Sequence, residues 1–436
     1  MSGLPPATPD TAARDAGSTG DEPRGRRTIL LICNLDTRGA EIIRARDRIR
    51  ARGHEAVLLD FSMETVPPLD GDLTCAEVAE RGGMGIDAVR AAYRTDRDAA
   101  TSNQIRGATA LAADLLARGR LHGVLGIGGG TSSLVATRVM QTLPFGLPKV
   151  MASPMAGHPA YVGEYVGTSD ITMLHTVVDV VRMNPLLAVQ IDNAVGAVCG
   201  MVEMGGALDP SLGPQAVAVT SFGFGELAVQ SAVRMLEDAG YTPVVFHAQG
   251  RGDRAMERLV ADGRFAAVLD LCTGGVVEHL LGGNRDPGPD RLSGAATAGV
   301  PAVLGPCGLD MLALGGRLER LQAAADRAQF VQDELRVQVR TTAQEVAAAA
   351  DQIAQRLLSY RAPYVFLIPI GGWSSLDRLG GPLYDPTADA ALARVLRERL
   401  PADAVKEVDL PLYSEEFARL AVDELLARLE QAHSPR

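Results

Sequence analysis

Short apolar runs rich in Val, Ile and Leu recur along this chain, separated by amphipathic stretches of helical period. That alternation constrains the fold more than any other feature. Apolar runs of roughly four to eight residues without polar alternation suit strands buried on both faces, which need helices on either side of a parallel sheet. Strands are predicted at 28–34, 55–60, 123–128 and 148–153, helices at 38–52, 100–118 and 131–142, and a buried helix at 185–203. A Gly/Pro-rich interval at 205–215 breaks both periodicities, and the pattern then restarts. The second half predicts strands at 216–222, 242–248, 266–272, 301–306, 364–370 and 404–410, with helices at 225–239, 253–262, 343–358, 387–399 and 414–431.

The expected fold is α/β: two Rossmann-like, doubly wound parallel-sheet subdomains with an interdomain cleft. The expected boundaries are a disordered tail at 1–26, a nucleotide-binding subdomain at 27–204, a linker at 205–215 and a second subdomain at 216–436. A length of 436 residues exceeds one ordinary core. The net charge of -11 argues against nucleic acid or an anionic membrane as partner. No apolar run is expected to reach the roughly 20 residues of a bilayer span. The first 26 residues lack the apolar segment of a signal peptide, so the expected location is cytoplasmic.

The five cysteines are scattered with no C-x-x-C pair, so neither a disulfide framework nor a zinc site is expected. Only two of the 42 basic residues, Lys149 and Lys406, are lysines, and the Walker A pattern is absent.

Polar clusters fall at the carboxyl ends of the predicted strands, where open parallel sheets bind ligands. "GIGGGTSSL" carries Gly128, Gly129 and Gly130, then Thr131 and Ser132 at a helix start. Such a loop either turns backbone N–H groups onto a phosphate or simply packs helix against strand. "NLDTRG" offers Asp36 for Mg²⁺ or a water, Thr37, and Arg38 for a phosphate, although Asp36 or Thr37 also suits a helix cap. Asp60 ends the second strand. Thr168, Ser169 and Asp170 either cap a segment or face the glycine loop. Ser153 follows the fourth strand, and His158 lies in a Pro/Gly-rich loop where acid–base work competes with a solvated role. Arg340 in "VRTT" and Asp310 in "GPCGLDM" suggest a polar cleft wall in the second half.

"NLDTRGAE", "GIGGGTSS", "PKVMAS", "YVGTSDITM", "HAQGRGDRAMERL", "GPDRLSGAATAGVP", "GLDM", "VRTT" and "GGPLYDP" occur in this order. In this the chain resembles the Tm-one-like ATP-binding proteins from about residue 28 to 431. The resemblance implies two Rossmann-like subdomains, ATP at the glycine loop, and a homodimer. The chain departs from the family at strand ends: its glycine loop is about one residue shorter, Arg38 stands for a usual lysine, and Cys272-Thr273-Gly274-Gly275 replaces a threonine run with an acid.

The expected function is a nucleotide-binding enzyme acting on a small-molecule substrate, an ATP-dependent ligase or transferase of a biosynthetic pathway. Glycine-loop amides would hold phosphates, and Asp36 or Asp170 would position Mg²⁺. The alternatives are a nucleotide sensor without turnover, and a nucleotide-independent isomerase or lyase.

Overall fold

The computed structural model describes residues 25–205 and 212–433. Most of the expected tail (1–26) and the middle of the expected linker (205–215) lie outside the described residues. The chain divides into two compact units, Met1–Val166 with Ile171–Ala207 and Gly167–Asp170 with Leu208–Arg436.

The first unit has five parallel strands: β1 (Thr28–Cys33), β2 (Glu55–Asp60), β3 (Gly123–Ile127), β4 (Lys149–Ser153) and β5 (Thr172–His175). Their order in the sheet is β2-β1-β3-β4-β5. Alternate β1 side chains enter two separate cores. Leu30 and Ile32 face one, and Ile29 and Leu31 face the other, which is why the strand reads as continuously apolar. The helix after β1, Leu35–Ala51, packs Ile42, Ala45 and Ile49 into one core. The helix after β3, Gly130–Gln141, packs Val135, Ala136 and Val139 into the other. Successive helices thus leave β1 and β3 on opposite faces, opening a crevice at the carboxyl ends of these neighbouring strands.

Three features of this unit go beyond the elements expected from sequence. Helices Cys75–Gly82 and Ile86–Thr95 follow β2, and the sheet ends in β5. Helix Pro185–Met204 is, contrary to expectation, long and apolar enough to cross a membrane by length and composition. Here its Leu187, Ile191, Ala194, Val195 and Val198 sit in the core, and its Asp192 takes a bidentate hydrogen bond from Arg44 at 2.9 and 2.7 Å.

The second unit has six parallel strands: β6 (Ala216–Ser221), β7 (Thr242–His247), β8 (Ala267–Asp270), β9 (Ala302–Leu304), β13 (Tyr364–Pro369) and β14 (Val405–Val408). Their order is β14-β13-β9-β8-β6-β7. Between β9 and β13 the chain forms a second sheet not foreseen from sequence. Its strands β10 (Met311–Ala313), β11 (Gln329–Asp333) and β12 (Arg336–Arg340) are antiparallel, in the order β10-β12-β11.

Candidate functional site

The crevice between β1 and β3 is a pocket of about 190 Å³. Asn34, Asp36, Thr37 and Arg38 line one side, Gly129, Gly130, Thr131 and Ser132 another, and Phe61, Met63, Glu64 and Tyr93 the rest. Two clusters about 90 residues apart in sequence therefore meet at one point of the sheet, with Ser132 Oγ donating to Asn34 Oδ1 at 3.1 Å.

The glycines divide by role. Gly128 has φ +150°, and a Cβ there would lie 2.4 Å from Ser132 Oγ, so turn geometry excludes a side chain. Gly126 is fixed by packing, since a Cβ would meet Met151 Sδ at 2.6 Å and Ala136 Cβ at 2.7 Å. Gly129 and Gly130 answer to neither demand. A Cβ on Gly130 meets nothing within 4 Å, and one on Gly129 meets only Asp179 Oδ1 at 3.9 Å. Their bare backbone borders the pocket, and no side chain caps the helix beginning at Gly130. An uncapped helix start leaves N–H groups and positive potential facing the crevice.

Arg38 interrupts its helix with φ -130° and ψ 22°. Its Nη1 donates to the Thr37 carbonyl at 3.0 Å, whereas its Nε is buried without a hydrogen-bond partner. A buried guanidinium N–H without an acceptor is costly, and an anion in the pocket would relieve that cost.

Asp36 corrects the expectation of a free carboxylate. Its Oδ2 accepts from the amides of Glu64 and Thr65 at 3.1 and 3.3 Å, tying down the loop after β2. Its own N–H donates to Ser62 Oγ at 3.1 Å. Asp60, 1% exposed, supports the same turn by accepting from the Leu35 amide at 3.1 Å and from Ser62 Oγ at 2.5 Å. Burial pushes the Asp60 carboxyl up from its ordinary range. Among the described residues, no group of three His, Cys, Asp or Glu is placed to hold a metal ion.

The remaining expected site residues lie elsewhere. Ser153 is fully buried, accepting from Ser133 Oγ at 2.7 Å and from the Met155 amide at 3.0 Å. His158 is exposed beyond a 3₁₀ turn, its ring 4.5 Å from that of Tyr161, and is not part of the pocket wall. Thr168, Ser169 and Asp170 group with the second unit rather than with the glycine loop. Lys149 points away from the carboxyl ends of the strands, donating to the carbonyls of Pro144 and Leu147 at 2.7 and 3.1 Å.

Arg340 and Asp310 are interior groups of the second unit. Arg340 donates to the Asp310 carbonyl at 2.9 Å, to the Asp385 carbonyl at 3.0 Å and to the Asp389 carboxylate. Asp310 is fully buried and bound by Ser374 Oγ at 2.7 Å. Burial, with Asp377 nearby, pushes its carboxyl up to about 6. These two residues organise the turn into β10 and the end of β12.

The second unit's equivalent crevice, between β6 and β8, is plugged. Arg285 lies over the Phe222 ring at 4.5 Å and pairs with buried Glu278, leaving about 10 Å³, no more than one water needs. In the stretches around 251–258 and 290–292 it is Asp253, Glu257 and Arg291 that serve the interior, while Arg251, Arg254 and Arg258 are exposed. Arg291, with no side-chain exposure, donates to Glu257 at 2.7 Å, to both oxygens of Asp270 at 2.6 and 2.8 Å, and to the Cys272 carbonyl at 3.1 Å. Asp253 completes the cluster, burial pushing it up to about 6. All five cysteines are unpaired and buried, and burial raises the thiols of Cys33, Cys75 and Cys199.

Two family models cover the chain: the N-terminal domain of the uncharacterised protein family UPF0261 matches residues 27–207, and its C-terminal domain matches 214–429. The chain belongs to the UPF0261 family. A UPF0261 protein of Clostridium tetani is 31% identical over 407 residues, 93% of this chain and 100% of its own length. The ToMV resistance protein Tm-1(GCR237) of Solanum lycopersicum is 33% identical over 315 residues, 70% of this chain but 41% of the tomato protein. Relatedness to the tomato protein therefore extends over most of the chain. Among solved structures, the glycosyltransferase SnogD from Streptomyces nogalater aligns over 93% of this chain and 100% of its own, with 14% identity and a TM-score of 0.20. That score is too low to bear on the fold.

Asn34, Glu64 and Tyr93 join the pocket without having been singled out from sequence. Asn34 lies inside "NLDTRG", where its charged neighbours give the stronger sequence signal. Glu64 and Tyr93 come from the connection between β2 and β3, whose polar, irregular sequence gives no strand-end signal.

Proposed function

We propose that the first unit binds the phosphate groups of a nucleotide, ATP being the one the family resemblance implies, in the crevice between β1 and β3. The observation that carries the reading is the convergence of an uncapped helix start, two sterically unneeded glycines and an arginine with an unpartnered Nε. Each supplies N–H groups for an anion, and together they enclose one. The ionisable wall residues are Asp36, Arg38, Glu64 and Tyr93. Because Asp36 is engaged by two amides, its first role in this reading is to hold the loop after β2 in place for the ligand.

The pocket volume supports a second reading. About 190 Å³ falls below the ~300–1,000 Å³ usual for small-molecule sites, so it suits a phosphate or carboxylate group better than a whole nucleotide. The site then takes a small phosphorylated or carboxylated metabolite, or only the phosphate tail of ATP. Calorimetric titration of the full chain with ATP, pyrophosphate and inorganic phosphate, with and without Mg²⁺, separates these. Nucleotide binding predicts ATP tighter than pyrophosphate, whereas the metabolite reading predicts no gain from the nucleoside. Arg38→Ala should weaken whichever anion binds by about tenfold to a hundredfold, the worth of one charge-assisted pair, without lowering the melting temperature. Binding unaltered in that variant would refute both readings. Turnover, and with it the ligase or transferase expectation, is tested by product analysis after incubation with ATP and a panel of carboxylic acids. The homodimer belongs to the same proposal and is read by light scattering.

A further inference from the structure

A cavity of about 580 Å³ lies in the second unit at the carboxyl end of β13, well inside the ~300–1,000 Å³ range of small-molecule sites. Ile368, Pro369 and Ile370 form one wall. The other is a single face of helix Pro386–Arg399, on which Asp389, Ala393 and Arg397 recur at every fourth position with Ala390 beside them. This face carries alanine where the packed side of the same helix carries Leu392 and Leu396, so the sequence leaves the space open.

The charges around the cavity are matched within the protein. Arg397 lies 2.9 Å from Glu407, Arg394 lies 3.7 Å from Glu398, and Asp389 accepts from Arg340. Each arginine of the wall has an acid within 4 Å, so no unpaired lining cation invites a phosphate or carboxylate. Glu407 Oε1, ion-paired with Arg397, is buried in this wall without a hydrogen bond, so an acceptor stands open here where a donor stands open in the crevice of the first unit.

We propose that this cavity is a second ligand site, taking a small, uncharged, mostly apolar molecule with one polar group for Asp389. The apolar body rests on Ile368, Ile370 and Ala393, and the polar group shares the Asp389 carboxyl with Arg340. The proposal does not depend on the anion site of the first unit.

Trp373, the single tryptophan of the chain, is part of this wall and only 1% exposed, so under native conditions a ligand entering the cavity alters the surroundings of the one indole that emits. The full chain is titrated with benzamide, and with benzoate as the charged match. Benzamide should give a saturable change in Trp373 emission with a dissociation constant on the order of 1 mM, as expected for so few atoms, and benzoate should bind at least about tenfold more weakly. Ala393→Leu fills the space and should abolish the saturable phase while leaving the urea midpoint in place. Ala390→Leu on the exposed rim makes the same test if the first variant folds poorly. A purely linear response to benzamide, an equal affinity for benzoate, or saturation undiminished in both variants would overturn the proposal.

Discussion

Replacing Arg291 with methionine removes the cation at the centre of a buried acidic cluster while keeping much of the side-chain volume. Four hydrogen bonds of 2.6 to 3.1 Å disappear, three of them to carboxylates. At about 1.5–3 kcal/mol for each charge-assisted bond, the gross loss is large. The stranded acids soften it by taking up protons, and measured losses for breaking one buried pair are about 3–5 kcal/mol, which is the expected destabilisation of the second unit near pH 8. Urea unfolding followed by Trp373 emission reads that unit, because Trp373 shares a core cluster with Met256, Val260 and Leu292 around this network. With a slope of about 2–3 kcal/mol/M the midpoint should fall by about 1–2 M. The loss should shrink at pH 5, where Asp253, already pushed up to about 6 in the intact protein, and Glu257, also raised by burial, accept protons. A loss below about 1 kcal/mol, or one equal at both pH values, would show that Arg291 is not the charge keystone of this cluster.

The two kinds of glycine in the loop should part company. Gly128→Ala forces a side chain into φ +150° and onto Ser132, and should cost the first unit about 1–3 kcal/mol by calorimetric melting. Gly130→Ala meets no atom within 4 Å and should leave melting unchanged while weakening phosphate binding; a normal affinity there would count against the amide cradle. Asp389, raised by burial to about 8 in the fold against about 4 unfolded, favours its protonated form. Its contribution to stability is thus fully present below about pH 4 and is lost as pH rises through 8. In Asp389→Asn the decline of unfolding free energy between pH 5 and 8 should flatten, and an unaltered slope would show that another group titrates there.

The doubly wound sheets could be read in the sequence because strands buried on both faces, such as "TILLIC" and "AVAVTS", leave unbroken apolar runs. The first half of the site followed from the same logic, since strand ends carry the polar turns. What escaped was set by contacts that no local pattern records. Helix Arg97–Ala117 crosses Cys75–Gly82 at Gly107, where a Cβ would lie 1.8 Å from the Val78 carbonyl oxygen, so the fit depends on two distant segments together. Strand β12 alternates conventionally as "RVQVR", but its partner β10 has only three residues and β11, "QFVQD", is polar at both ends, so neither stands out. Charged residues misled most. Asp310 and Arg340 sit at turns where ligands bind, yet each is consumed by partners inside its own unit. Composition around a turn gives no sign of whether a charge is already paired.

The proposed role of the backbone amides at the start of helix Gly130–Gln141, with Arg38, is to hold a phosphate. A crystal of the full chain soaked with ATP tests it most directly. This role predicts phosphate oxygens about 3 Å from the amide nitrogens of Gly130 to Ser132, with Arg38 Nε among the donors. Phosphates bound elsewhere, with those amides turned to solvent and Arg38 unmoved, would contradict it.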